Sequence, residues 1–545
     1  MQEQDTGEFC WKRKETVSHV ESFEKSQKIG DGMSERAYAR SSGVPRSTLK
    51  SWLSRKEKLD ESETVKSFFE SEEGLAFLHQ LVLAMHFVFG LSNGNGLRQM
   101  ELFLKLSRLS KFVASSFGSC QALAKKMEGR VLEYAEEQKA ALSSAMEPKQ
   151  ISICQDETFH PQICLVAMEP VSGFIFLERY SKKRDGESWH QEFQKAISGL
   201  SVKVVQSTSD EGTGLLAHVK GALFAHHSPD LFHVQHELSK ATATQLSAKA
   251  NQASREVARA QAEVDAQKSQ SLPHSEILIR RVEEELSRTL FFREEIQNQQ
   301  ELSREAIRGL GQAYHPFNLG TGEAQDASKI NTNLLRRFSE IEAVAQATAL
   351  KQRCFDGISK AKRVVSAMVA TVAFFWNQVE SRIAALHLSN DVQQLVMNKL
   401  LPAAYLKLAA GKAKTAEIRT LIQKKAEELA KAWQDEHILN LPPAQQIKLR
   451  DTLQQAAELF QRSSSCVEGR NGQLSLHHHS LHNLREKRLQ ALTIIHNYGI
   501  RRPDGTTAAE RFFGTPPKNL FRDLLDHLDV PARPAMARSQ RPWLN

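Results

Sequence analysis

Apolar residues along this chain follow two rhythms. Between 151 and 205 they come in short runs: Ile151-Ser152-Ile153-Cys154, Ile163 to Met168, Phe174 to Arg179, and Val202 to Val205. Those lengths predict strands. An amphipathic stretch from Glu187 to Leu200 separates the third run from the fourth, and Leu231 to Val234 predicts a fifth strand after one more helix. On both sides the rhythm turns helical. Leu75, Leu78, Leu81 and Met85 recur at three- and four-residue steps, as do Leu102, Leu106 and Leu109. Downstream, Leu246, Ala250, Ala253, Val257, Ala260 and Val264 form a heptad seam of mostly small residues. Leu272-Pro273 ends it. Ile279, Val282, Leu286 and Leu290 resume the spacing, so the two runs predict an antiparallel helical hairpin. Beyond a Pro- and Gly-marked loop at Tyr314 to Gly322, residues 331 to 461 read as helical, with breaks expected near Leu401-Pro402 and Leu441-Pro442-Pro443.

These patterns divide the chain into a polar, flexible segment (1–30), a small helical unit (31–60), a helical layer serving DNA contact or oligomerisation (61–148), and a strand-rich part (149–240). An all-helical stretch (241–462), a second motif-rich part (463–530) and a flexible tail (531–545) complete it. In the small unit, Ser34 to Leu53 predicts a helix, a turn at Gly43 and a second helix from about Pro45. Glycine suits that turn because it accepts positive φ, and Val44, Leu49 and Trp52 supply apolar contacts. This is the pattern of a helix-turn-helix, whose second helix would present Arg46, Ser47, Thr48 and Lys50 to DNA. Near the other end, Val467 to Leu476 and Leu484 to Tyr498 predict helices, and Thr506 or Thr507 caps another.

With 545 residues the chain exceeds one core, and a net charge of +8 with a pI of about 9.0 favours a polyanionic partner. Six scattered cysteines, never spaced Cys-x-x-Cys, read as reduced thiols and not as a disulfide framework or zinc ribbon. The polar N-terminal stretch lacks an apolar signal region, and Gly74 to Leu97, interrupted by His79, His86 and Asn93, reads as a core helix and not a membrane span. A cytoplasmic protein, nucleoid-associated when bound to DNA, is expected.

The acids carry the chemistry. Asp156 follows the first strand run, Asp210 follows the fourth, and Glu468 opens a helical segment far downstream. In that order they resemble the metal-binding triad of a DDE-type transposase of a bacterial insertion sequence. Asp230-Leu231-Phe232-His233 is similar to the Cys/Asp-x-x-His signature of several DDE superfamilies, including the hAT group. The resemblance covers Ile151 to Lys240 and Ser463 onward. It implies an α+β, mostly α-helical fold: an RNase H-like mixed sheet core split by a large helical insertion, hAT-like in architecture, behind the helix-turn-helix. A Tyr-x-x-Arg-x-x-x-Glu-x-x-x-x-x-x-Lys signature found in some bacterial families is not met, since positions 464 and 475 are both Ser.

The resemblance further implies two Mg²⁺ or Mn²⁺ ions held by Asp156, Asp210 and Glu468. The substrates would be double-stranded DNA at the element's terminal repeats and at the target, and the enzyme a homo-oligomer, expected to be a dimer. Carboxylates suit such ions, which prefer oxygen ligands and retain waters. Glu157, Glu211 and Glu458 are rivals for the metal roles. Asp230 and His233 would support the site, Arg470 would meet a DNA phosphate, and Asn471 would orient a phosphate or the carboxylate. His477, His478, His479 and His482 read as histidines beside DNA more readily than as a zinc site. Trp376 and Trp433 read first as core aromatics and second as base-stacking platforms. A non-catalytic DNA-binding protein on the same fold and an RNase H-like nuclease without strand transfer are the competing readings.

Overall fold

The computed structural model describes residues 13–28, 32–57, 62–159, 162–269, 275–481 and 484–529. The tail 531–545, His482 and the Leu272-Pro273 break lie outside them. The described chain is mostly helical around one small mixed sheet.

The N-terminal unit has three helices, one more than its sequence suggests. α1 (Arg13–Lys28) occupies much of the segment expected to be flexible, because Val20 and Phe23 are buried against Tyr38, Val44, Leu49 and Trp52. α2 (Glu35–Ser42) is capped by Ser34 and ends at Gly43, whose φ of 73° makes the turn into α3 (Arg46–Glu57). Residues 62–144 then form a helical layer. Its helix and π-turn from Glu72 to Ser92 are long and apolar enough, by length and composition, to cross a membrane. Leu78, Val82, Leu83 and Met85 from this stretch share a core with Met127, Val131 and Tyr134, while Phe77, Val88 and Phe89 are exposed. His86, buried in that layer, has its pKa pushed down to about 4 by desolvation.

The sheet has the order β3-β2-β1-β4-β5. β1 (Lys149–Phe159), β2 (Ile163–Met168) and β3 (Ile175–Ser181) form an antiparallel meander. After α4 (Gly186–Ile197), β4 (Val202–Ser209) adds parallel to the other edge of β1, and β5 (His226–Pro229) adds parallel to β4. The fifth strand precedes its expected position: Leu231 to Val234 begin a helix. Asp230 dictates this, because its Oδ1 accepts the Phe232 N–H at 2.9 Å and closes the first turn.

That helix, α5 (Leu231–Ser269), pairs with α6 (Ser275–Ala313) as the expected hairpin, with Leu246, Ala253 and Val264 of α5 and Ile296, Ala306 and Ile307 of α6 buried. Helices then run to Leu459. The expected break at Pro402 is replaced by a π-turn at Val396–Leu400 that leads directly into the helix Leu401–Gly411, the wider turn just before Pro402 accommodating its ring and missing N–H.

Candidate functional site

Side-chain alternation along β1 sorts its residues between two covering layers. Ile151 and Ile153 pack with Trp189 and Phe193 of α4. Glu157 points the same way, accepting the Trp189 indole N–H at 2.9 Å and pairing with Arg184 at 3.3 Å, so this rival acid is committed elsewhere. Ser152, Cys154 and Asp156 face the other layer, the chain returning from the helical insertion. Ser152 Oγ donates to the Leu459 carbonyl at 3.2 Å and Cys154 Sγ to that of Ser463 at 3.5 Å.

Asp156 lies within β1, whose pairing with β2 continues to Phe159↔Ile163. Its pairing with β4 stops at Cys154↔Thr208. Asp156 therefore emerges where its parallel neighbour ends, and Asp210 follows Ser209 at the end of that neighbour, on the same edge of the sheet.

The returning segment is stitched to the strand ends. Gln206 Nε2 and Ser228 Oγ both donate to the Gln461 carbonyl, at 2.8 and 3.0 Å, and Leu231 N donates to that of Arg462 at 2.9 Å. Asp230 is the clamp: its carboxylate accepts from Ser464 N at 3.1 Å and Ser464 Oγ at 2.5 Å. α7 (Ser465–Leu481) starts there and carries Glu468 in its first turn, where the helix dipole favours an anion. Val467 and Leu474 bury against Cys154, Val166 and Met168. Arg470 forks onto Glu178 of β3 through Nε–Oε1 at 2.8 Å and Nη2–Oε2 at 2.6 Å, with both side chains buried. The expected phosphate contact is thus replaced by an internal ion pair that sets the rotation of α7. Asn471 turns inward as well, donating through Nδ2 to Asp156 Oδ2 at 3.0 Å.

Ligand atoms of Asp156, His233 and Glu468 lie within 4.8 Å of one another, the sole such group of three or more His, Cys, Asp or Glu among the described residues. His233, on the first turn of α5, enters the cluster as a third potential ligand. Asp210 lies outside this grouping. It is half-buried, accepts the Gly212 N–H at 3.1 Å, and is close enough that its charge contributes to the Asp156 shift. Asp156 is pushed up to about 7, first by burial and then by the negative charges of Glu468, Asp210 and Asp230, against the Glu157 N–H, which lowers it. Three acids crowd this carboxylate, and among the described residues no arginine or lysine pairs with it in the pattern of Arg184 on Glu157; the basic side chain in its cluster is His233. Asn471 Oδ1 is a buried acceptor with no donor among the described residues.

Of the other expected residues, Arg46, Ser47 and Lys50 are exposed on α3 and Thr48 is half-buried; Arg46 meets Glu35 at 3.3 Å. Glu211 is exposed, and Glu458 takes a hydrogen bond from Gln454 on the last helix of the insertion. Trp376 donates to the Gln325 carbonyl at 2.9 Å amid Phe317 and Phe375, a core role; Trp433 is half-buried under the Arg450 guanidinium at 4.0 Å. Among the described residues His477 to His479 join no three-ligand group. Glu178 and Ser464, which fix α7, were not singled out from sequence. The signal for Glu178 was an acid on a strand otherwise facing a core.

Residues 396–540 match the model of a family of unknown function, DUF6399. The match takes in Glu468, Arg470 and Asn471 and leaves out both Asp-bearing strands. No match is found among curated proteins or solved structures.

Proposed function

We propose that this chain is a DDE-type DNA transposase, a metal-dependent polynucleotidyl transferase that cuts the ends of its element and joins the freed 3′-hydroxyl to target DNA. The supporting observation is the meeting of Asp156 and Glu468, distant in sequence, at the C-terminal edge of β1. The sheet that supports the meeting has the mixed 3-2-1-4-5 order of an RNase H-like core.

The residues fit a hard divalent cation. Asp156 and Glu468 offer carboxylate oxygens, Asp210 stands at the neighbouring strand end, and His233 adds a nitrogen that Mn²⁺ accepts readily. The undonated Asn471 Oδ1 faces the kind of partner a hydrated ion brings. When bound, a pair of Mg²⁺ or Mn²⁺ ions supplies charge stabilisation to the attacking and leaving oxygens of an in-line displacement at phosphorus. The chain does the positioning: Asn471 fixes the Asp156 rotamer, Arg470 and Glu178 fix the rotation of α7, and Asp230 fixes where α7 starts. Arg46, Ser47 and Lys50 on α3 engage the duplex at the terminal repeats, with Gly43 setting the turn.

The test incubates the purified protein with end-labelled DNA flanking its own gene, in Mg²⁺ or Mn²⁺, beside Asp156→Asn, Asp210→Asn and an EDTA control. Metal-dependent cut and joined products, lost in both variants, are expected. Cut products without joined ones would reduce the reading to a nuclease. Binding of both ends with no cleavage would remove the catalytic reading altogether.

A further inference from the structure

The hairpin leaves one seam uncovered. On the side of α6 turned away from α5, Ile277, Arg281, Glu284, Arg288, Phe291 and Glu295 repeat the alternating four- and three-residue step of a coiled-coil seam, and all are exposed. Leu302 continues it two steps further on. Ile277 is 79% exposed and Phe291 71%, although α6 already buries Ile296, Ala306 and Ile307 within the fold. Ile277 and Phe291, large apolar side chains at seam positions about 21 Å apart at helical rise, mark a helix-pairing surface and not scattered exposure.

The charges between them say what fits. A parallel copy would stack Arg281 on Arg281, Glu284 on Glu284 and Arg288 on Arg288, like against like. An antiparallel copy reverses the order. In the seam register that sets Glu284 against Arg288 of the second copy, two-fold symmetry supplies the reciprocal pair as well, and it lays each Phe291 beside an Arg281 guanidinium. Sliding the copies one heptad toward the Leu302 end would bring Ile277 against Leu302, but it opposes Glu284 with Glu295 and loses both charge pairs, which decide the register. The alternating signs also argue against nucleic acid as the occupant, since a polyanion would be repelled at every glutamate.

We propose that this outer face of α6 pairs, antiparallel, with the same face of a second copy of the chain, making the hairpin a dimerisation arm. The inference is independent of the acid cluster and stands whether or not the protein cuts DNA.

The experiment follows the mass of the full-length protein by light scattering and sedimentation through a dilution series, without DNA. Wild type is compared with Glu284→Arg, Arg288→Glu and the double variant, and circular dichroism checks that helix content is unchanged. Each single change converts both symmetric pairs to repulsion and is expected to weaken the dimer at least about tenfold. The double variant restores the pairs with signs exchanged and should recover the wild-type dimer. A monomeric wild type, a dimer indifferent to both single changes, or singles that the double fails to rescue would each overturn the proposal. So would single variants that lose DNA binding and keep the dimer.

Discussion

Asp156 and Glu157 are consecutive on β1 and face opposite layers with opposite electrostatic solutions. On the α4 side, Glu157 has an indole donor and an arginine, and its charge is balanced within the fold. On the α7 side, Asp156 has an amide, a backbone N–H, the His233 ring and three acids around it, and burial drives its pKa to about 7. The same contrast recurs one layer out. Glu178 and Arg470 neutralise each other inside the protein, whereas Glu468, two positions from Arg470 on the same helix, contributes to the excess of negative charge at Asp156. Beside Asp156 the described residues place Glu468 and the His233 ring but no arginine or lysine pair, and on this feature the proposed divalent-ion site rests. Perturbed, converging carboxylates of this sort mark functional sites more often than structural ones.

The largest expected effect lies on the balanced side. Arg470→Met strands Glu178 in the interior and should lower the unfolding free energy by about 3–5 kcal/mol, read by urea denaturation. Little loss would mean that the ion pair does not anchor α7.

Next comes the unbalanced acid itself. With its pKa raised, the folded protein keeps the Asp156 proton where the unfolded chain has lost it. The associated stability is intact below about pH 4 and is lost as pH rises through about 7. Asp156→Asn should therefore match wild type near pH 4 and exceed it at pH 8 by up to about 4 kcal/mol, the free-energy equivalent of the shift. Mg²⁺ at a hundred times its Kd should add about 2.7 kcal/mol to wild type at pH 8 and little to the variant. Equal stability of the two proteins at pH 8 would erase the contrast between the layers.

Asn471→Ala removes the donor that orients Asp156 and should weaken divalent-ion binding by about 10- to 100-fold in titration calorimetry, leaving the fold in place. Smallest is Glu157→Gln, which keeps an acceptor for Trp189 and loses only the partly exposed Arg184 pair. A change under about 1 kcal/mol is expected, with ion affinity unaltered. A large loss of ion affinity there would show that both layers feed one site.

Much of this geometry was legible in the residues. Four of the five strands announced themselves by short apolar runs, and Asp156 by its place after the first of them, whereas Glu468 came from the family resemblance, as an acid opening a helical segment. What escaped were features whose driving force is polar. β5 is His226-His227-Ser228-Pro229, and its burial rests on hydrogen bonds such as Ser228 Oγ to the Gln461 carbonyl, which leave no apolar signature. The apolar run just after it, Leu231 to Val234, belongs to a helix because Asp230 caps the turn. Arg470 read as a surface cation because an arginine on a short helix usually is one; its partner lies 292 positions earlier in the chain. α1 was missed since Val20 and Phe23 give a single polar helix little amphipathic contrast.

The neck where Leu231 bonds to Arg462 has a consequence in time. Everything from α5 to the last insertion helix is made between the strand that bears Asp156 and the helix that bears Glu468. At ordinary elongation rates the two acids leave the ribosome roughly 15 to 60 s apart. The strands can pair early, but Asp156 waits through that interval without the segment that roofs it. A nascent chain therefore holds an incomplete cluster until α7 has been synthesised, and any ion-dependent chemistry waits for that helix.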